Sequence, residues 1–250
     1  MSTLTATNDE TQTIVAARRL KDAKVVFIGV GRPSTAALLA RMVVNPQLVL
    51  VYESGTIGAK PFHIPLSIGD GELAETADAV VSVTEMFNYW IQPGRIDVAF
   101  LGAAQVDRFG NLNSTVIGDY DHPKTRLPGA GGAPEIAASC GEVVVVAPHN
   151  RRTFVERLDF RTTVGYGEGP GSRERLGFRG RGPTAVITDL GVLEPDPQTC
   201  ELRLTEIHPG VEVDAVREAT GWDLAVADDL RTTEPPTDDQ LTALRELLSR

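Results

Sequence analysis

The chain is short of cysteine, of positive charge and of long apolar runs, and each shortage removes a class of protein. Its only cysteines, Cys140 and Cys200, lie far apart with no Cys-x-x-Cys pair. That excludes a disulfide framework and suits a reducing cytoplasm, the expected location. Lysine and arginine total 24 against 34 aspartates and glutamates, a formal charge of −10 over 250 residues. Such a surface does not suit nucleic acid, which needs a surplus of cations, but leaves room for a small anionic ligand. No apolar run approaches the ~18–20 residues that span a bilayer. The four histidines, His63, His122, His149 and His208, are scattered, with no spacing that makes a metal site. Ser2 to Glu10 has neither a basic start nor an apolar stretch, so residues 1–12 are expected to form a flexible tail and 13–250 a single domain.

What is present reads as α/β. Hydrophobic residues make up 42% and charged residues 23%, enough apolar material to exclude a disordered chain. Val25 to Ile28 is a short apolar run, broken by Gly29-Val30-Gly31-Arg32-Pro33. Ala36, Leu39, Ala40 and Val43 then recur at helical spacing, and Asn45-Pro46 stops them. Leu48 to Tyr52 is a second apolar run, ending at Glu53-Ser54-Gly55. This strand–helix–strand unit predicts parallel strands whose following turns share one sheet edge. Asp78 to Trp90 predicts a helix; Ile96 to Leu101 and Val143 to Ala147 predict two more strands. Asp107 to Gly132 is polar and glycine-rich, and Gly165 to Pro183 reads as an exposed loop. A late β region follows (Ala185 to Ile187, Val192-Leu193, Leu202 to Ile207), then helices over Asp214 to Ala219 and Thr237 to Leu248. The predicted fold is an open, mostly parallel sheet flanked by helices, with that late β region at one side. Gly69-Asp70-Gly71 and Asn111-Leu112-Asn113 are expected to be turns.

In such a sheet, ligands bind beyond the carboxyl ends of the strands. Three of those ends are glycine-rich, at Gly29 to Pro33, Glu53 to Gly58 and Gly102 to Asn113, and Gly129 to Ala133 forms a fourth cluster. Glycine lets backbone N–H groups approach an anion closely. Any one cluster is explained as a turn; four at one edge suggest a site. Glu53 is singular because an apolar strand delivers its carboxylate directly to that edge. Two readings compete. Gly29-x-Gly31 with an acid after the next strand imitates a dinucleotide fingerprint, which would make this a nicotinamide-nucleotide binding module, although Ser34 replaces the third glycine. Alternatively, Glu53 is a nucleophile towards an activated acyl group.

Several stretches, in order, resemble one family. Val51-Tyr52-Glu53-Ser54-Gly55 is similar to the Glu-Ser-Gly nucleophile motif of family I coenzyme A transferases, and Gly29-Val30-Gly31-Arg32-Pro33 to their Gly-x-Gly-x-Pro loop. Gly102-Ala103-Ala104-Gln105-Val106 and Gly131-Gly132-Ala133 match two further family turns. Asn113 through Arg126, and Gly171 through Gly177, resemble the β subunits of the glutaconate type. Thr56-Ile57-Gly58-Ala59 and Pro134-Glu135 depart from that type, in loops that would touch the acyl group.

The resemblance implies a β subunit that moves CoA between an acyl-CoA and a carboxylic acid, including glutaconate-like dicarboxylic acids, through a glutamyl-CoA thioester. It implies Glu53 as nucleophile, the N–H groups of Gly132 and Ala133 as oxyanion donors, and Gln105 as a side chain orienting Glu53. It places Gly29, Gly31, Ser54, Gly55, Gly102, Asn111, Lys124 and Arg126 in loops contacting CoA or substrate. Arg173, Arg175, Arg179 and Arg181 become further candidates for the CoA phosphates. CoA enters as substrate, with no tightly bound cofactor and no metal, and the expected partner is an α subunit in an α2β2 assembly. No nucleic-acid or membrane partner is expected. Relatives without the glutamate act as CoA-thioester hydrolases, C–C lyases or decarboxylases, and that remains the alternative chemistry, with Glu53 as a base.

Overall fold

A computed structural model of the chain describes residues 4–29 and 31–250. The first helix, α1 (Asn8–Arg18), begins inside the expected tail. Thr7 caps it through a reciprocal box: its hydroxyl accepts from the Glu10 N–H, and its own N–H donates to the Glu10 carboxylate. Gln12 is fully buried and its amide donates to the carbonyls of Ala147 and Ile187 at 2.9 Å each. Asn8 to Gln12 are therefore helix, not tail. Polar composition misled here because the polar groups are caps and buried ties rather than solvated surface; residues 1–3 lie outside the described residues.

The first strand–helix–strand unit forms as expected: β1 (Val25–Ile28), α2 (Arg32–Val43) and β2 (Val49–Tyr52), the strands parallel in register Val25↔Val49 to Ile28↔Tyr52. Immediately after the Glu53 turn, β3 (Thr56–Ile57) runs back against β2, and β4 (Ala79–Val80) pairs with it as the sheet edge. Between them Asp70 caps the short α3 (Gly71–Glu75). The helix expected over Asp78 to Trp90 is broken into β4, one turn of α4 (Val83–Glu85) and a π-helical turn, Met86–Ile91. Next come β5 (Val98–Leu101), the hairpin β6 (Gln105–Val106) and β7 (Leu112–Asn113), the hairpin β8 (Val116–Gly118) and β9 (Pro123–Arg126), α5 (Ala133–Ser139) and β10 (Glu142–Val146). Asn111-Leu112-Asn113 is thus the entry to a strand and not a turn. After α6 (Ser172–Arg175), the late β region is β11 (Pro183–Ile187), β12 (Gly191–Pro195), β13 (Leu202–Ile207) and, past α7 (Val213–Glu218), β14 (Val226–Thr232). The chain closes on α8 (Asp238–Ser249).

One ten-stranded sheet runs β14-β13-β12-β11-β10-β5-β1-β2-β3-β4. Its central block, β11-β10-β5-β1-β2, is wholly parallel, and the flanks are mostly antiparallel. Side chains alternate across it as a strand requires. Val26, Ile28, Leu50, Tyr52, Val98 and Phe100 pack on one face with α1, α2 and α8. Phe27, Val51, Ala99, Leu101, Val143 and Val145 pack on the other with Met86, Ile91 and Ile136. The same alternation sends Glu53 to the second face, towards the π-helical turn and α5.

Two histidines are buried beneath the late strands. His149 shares hydrogen bonds with the hydroxyls of Thr188 (3.1 Å) and Thr220 (2.9 Å) and stacks on Phe154 at 4.0 Å between ring centroids. His208 bonds the Thr188 carbonyl and the Thr233 hydroxyl. Burial lowers the His149 pKa from 6.5 to about 4 and lowers that of His208 in the same direction. A depressed histidine binds its proton more readily in the unfolded chain. Its stabilising contribution is full above pH 6.5, is lost as pH falls through the window towards 4, and levels off below. For His149 alone that amounts to about 3 kcal/mol. Urea midpoints measured from pH 7 to pH 4 should fall accordingly, and a His149→Gln variant should show a flatter profile. Parallel profiles would show that this histidine does not couple to folding.

Candidate active site

Glu53 emerges where β2 ends. Tyr52, fully buried on the opposite face, anchors that end; its hydroxyl lies 3.3 Å from Ser34 Oγ, and burial pushes its pKa up to about 12. Ser34, at the third position of the suspected dinucleotide fingerprint, is thus packed into the core. The next residue, Glu53, has left the strand and is half-buried. Among the described residues its carboxylate has no hydrogen-bond or ion-pair partner. Gly131 and Gly132 lie close to it, with the Phe87 ring against Gly132. A Cβ added to Gly132 would lie 3.0 Å from Glu53 Oε1 and 2.4 Å from Phe87 Cζ, and one on Gly131 would lie 4.0 Å from the same oxygen. Gly132 is what lets the loop approach the carboxylate and the Phe87 ring this closely.

From its other side the turn is held by the segment after β4. Gly55 has φ +101°, and a Cβ there would sit 1.9 Å from the Val81 carbonyl oxygen. The same two residues bond, Val81 N–H to Gly55 O at 2.9 Å. Ser54 Oγ and Thr56 Oγ1 are buried and have no hydrogen-bond partner among the described residues.

The expected site residues separate into those gathered at Glu53 and those that are not. Gly132 is buried beside it, and its N–H donates to no acceptor among the described residues. The Ala133 N–H, expected as the second oxyanion donor, is instead committed to the Ala130 carbonyl at 3.0 Å. Gln105 is buried but does not bond Glu53. Its Nε2 donates to Asp159 at 2.9 Å, and its Oε1 accepts from Asn113 Nδ2 at 2.7 Å and from the Asp159 N–H at 3.1 Å. Asn111 is fully buried and structural: its amide bonds Asp107 and the Gly167 carbonyl and accepts from the N–H groups of Gly165 and Gly167. It is therefore no ligand contact in this chain; one side chain satisfies four backbone and carboxylate groups that the hairpin would otherwise leave buried and unpaired.

Gly29 and Gly31 flank Val30, which lies outside the described residues. Gly31 is exposed at φ +86° and precedes α2, with open space where a Cβ would be. Gly102 follows β5 and is exposed. Lys124 and Arg126 are exposed on β9, with Arg126 over the Tyr120 ring at 4.8 Å. Arg175, Arg179 and Arg181 are also exposed, and Arg181 pairs with Glu142 at 2.8 Å. Arg173 is not available to a phosphate: it is 6% exposed and donates to the carbonyls of Ala137, Gly165 and Gly180. A guanidinium can serve as a buried cross-tie between carbonyls, which a Gly-Arg-rich stretch does not announce. Sequence reasoning also missed Phe87 and Val81. They reach Glu53 or its turn from remote segments, and only the conspicuous glycines at 131 and 132 signalled any of it.

Among the described residues no group of three or more His, Cys, Asp or Glu side chains is placed to hold a metal, and no helix is long and apolar enough to cross a membrane. Burial pushes the Cys140 thiol up to about 12, which removes it as a nucleophile near neutral pH. A cleft of about 520 Å³ lies elsewhere, lined by Asp107, Arg108, Arg157, Asp159 and Arg161 among others; Glu53, Gly132 and Phe87 are not in its walls.

An unpartnered carboxylate at a strand end, backed by a glycine loop with a spare N–H, is a geometry for covalent acyl chemistry. Comparison with known proteins gives the family. The sequence model described as Coenzyme A transferase matches residues 10–219. The chain is 57% identical over 242 residues to the B subunit of 3-oxoadipate CoA-transferase from Pseudomonas knackmussii, covering 97% of this chain and 93% of that one. It is 37% identical over 226 residues to the B subunit of glutaconate CoA-transferase from Acidaminococcus fermentans, covering 88% and 85%. The crystal structure of glutaconate coenzyme A-transferase from Acidaminococcus fermentans superposes with a TM-score of 0.90 at 36% identity, over 96% of this chain and 94% of that one. With the motifs in order, the family model across most of the sequence and the same fold in a solved relative, the chain belongs to the coenzyme A transferase family.

Proposed function

We propose that this chain is the β subunit of a CoA-transferase in which the chain from α1 onward, residues 8–250, acts as one domain and Glu53 is the nucleophile. The observation that carries the reading is the state of Glu53: a half-buried carboxylate with no partner among the described residues, against Gly131, Gly132 and Phe87. A carboxylate spared from ion pairs and only partly hydrated is more reactive towards a thioester than one in bulk water. An oxygen of Glu53 attacks the acyl-CoA carbonyl, the C–S bond breaks, and an acyl-glutamyl anhydride and CoA thiolate result. The thiolate attacks the glutamyl carbonyl and releases the free acid, leaving CoA on Glu53 as a thioester. The acceptor carboxylate then reverses the sequence. The uncommitted Gly132 N–H is the donor this chain offers to a developing oxyanion, and one such donor supplies ~3–4 kcal/mol.

The substrate reading is a dicarboxylic acid of the 3-oxoadipate or glutaconate kind, supported by the two relatives described. The unmatched loops Thr56 to Ala59 and Pro134-Glu135 are where the acyl group would be chosen. An α subunit is the expected partner, because each of those relatives is itself one of the subunits of a transferase; an α2β2 assembly in the cytoplasm accords with it. The test is to produce this chain with its companion and supply succinyl-CoA with 3-oxoadipate or with glutaconate. Formation of the matching CoA ester, with a CoA adduct on the Glu53 peptide by mass spectrometry, supports the reading. Turnover of the thioester to free CoA and acid, with no adduct and no transfer, would favour the hydrolytic alternative.

A further inference from the structure

We propose that Phe87 is a positioning residue that walls off water from the acyl carbon of Glu53, so that the enzyme thioester is spent on acceptor and not on hydrolysis. This rests on Glu53 being the nucleophile. The ring of Phe87 lies against the α-carbon of Gly132, on the side of that glycine which also faces Glu53 Oε1, so phenyl edge and carboxylate flank the same atom. The ring is only partly buried and offers no hydrogen-bonding group, so exclusion is the function open to it.

Its placement depends on an unusual backbone. Residues five apart in an α-helix point about 140° from each other. Met86 and Ile91 are five apart, yet both are fully buried in the same apolar cluster. The π-helical turn resolves this: its wider winding, closed by the i→i+5 bond from Gln92 N–H to Phe87 O (2.9 Å), returns both anchors to one face. Phe87, next to the first anchor, is thereby aimed at Gly132. The chain leading into the turn is the one that bonds Gly55 through Val81, so the wall and the nucleophile turn are tied to each other.

The chemistry makes such a wall consequential. Acceptor carboxylate and water compete for the same glutamyl carbonyl. When water attacks, the C–S bond breaks, the thiolate takes a proton, and Glu53 is regenerated; the net reaction is acyl-CoA plus water to acid plus free CoA. Replacing Phe87 by alanine opens space beside that carbon.

The experiment uses the chain assembled with its partner and succinyl-CoA as probe, without acceptor. Wild type is expected to form the Glu53 adduct and then release free CoA thiol slowly. Phe87→Ala is expected to form the same adduct and release thiol at least ten-fold faster, while Phe87→Leu, which refills the space, stays within about three-fold of wild type. Thiol release by the alanine variant at the wild-type rate would overturn the proposal, even if transfer fell, because a merely structural role slows transfer without raising hydrolysis. A leucine variant as leaky as alanine would also overturn it. Failure of wild type itself to form an adduct would remove the nucleophile reading and this proposal with it, and is distinguished by the mass of the Glu53 peptide.

Discussion

Replacing Glu53 by glutamine is expected to lower CoA transfer by about 10⁴-fold or more while leaving the melting temperature unchanged. A primary amide cannot form the anhydride, and removal of a covalent nucleophile costs rate on that scale in other enzymes. The second half of the expectation is specific to this structure. Glu53 bonds no side chain or backbone group among the described residues, so its charge holds nothing in place, and substitutions of that kind usually fall within about 0.5 kcal/mol. A catalytic loss with no stability loss separates a reacting group from a structural one. Steady-state transfer and thermal melting of the assembled variant measure the two halves. Transfer retained within ten-fold would eliminate the covalent mechanism; a large drop in melting temperature would show that Glu53 has a tertiary role the geometry does not reveal.

Gly55→Ala is expected to do the opposite, damaging the framework and through it the activity. Position 55 has φ +101°, a region costing non-glycine residues of order 1–3 kcal/mol. The added methyl would also meet the Val81 carbonyl at 1.9 Å. That neighbour is backbone, so it cannot swing aside; β4 must shift, and the Val81–Gly55 hydrogen bond goes with it. A loss of about 3 kcal/mol lowers melting by roughly 6–12 °C in a protein of this size. Because Glu53 lies two residues away, displacement of the turn by about 1 Å should reduce transfer by about 10²-fold. Wild-type melting and transfer in this variant would show that the edge strand does not clamp the nucleophile.

Much of the fold was legible. The parallel core strands read from unbroken apolar runs because both faces of a covered parallel sheet are dry. The carboxyl-edge position of Glu53 followed from the strand–helix–strand order. Two kinds of feature were not legible. Short elements such as β3, and the π-helical turn, carry no periodic signal and exist only through their neighbours. Side-chain assignments failed where a polar residue turned inward: Asn111 and Arg173 sit among glycines and look like loop surface, yet each satisfies buried backbone groups. Gln105 lies on a matching motif and is still engaged by Asp159 and Asn113.

The sequence by itself determined the class of sheet, the edge at which chemistry is possible and the one carboxylate delivered there, because hydrophobic period and chain direction are properties of consecutive residues. Tertiary structure alone decided what lies around that carboxylate and its turn: Phe87 from a widened turn and Gly132 from a distant loop beside the carboxylate, and the Val81 backbone, just past the edge strand, against Gly55. Contacts between segments remote in the chain are set by packing, and no local pattern encodes them.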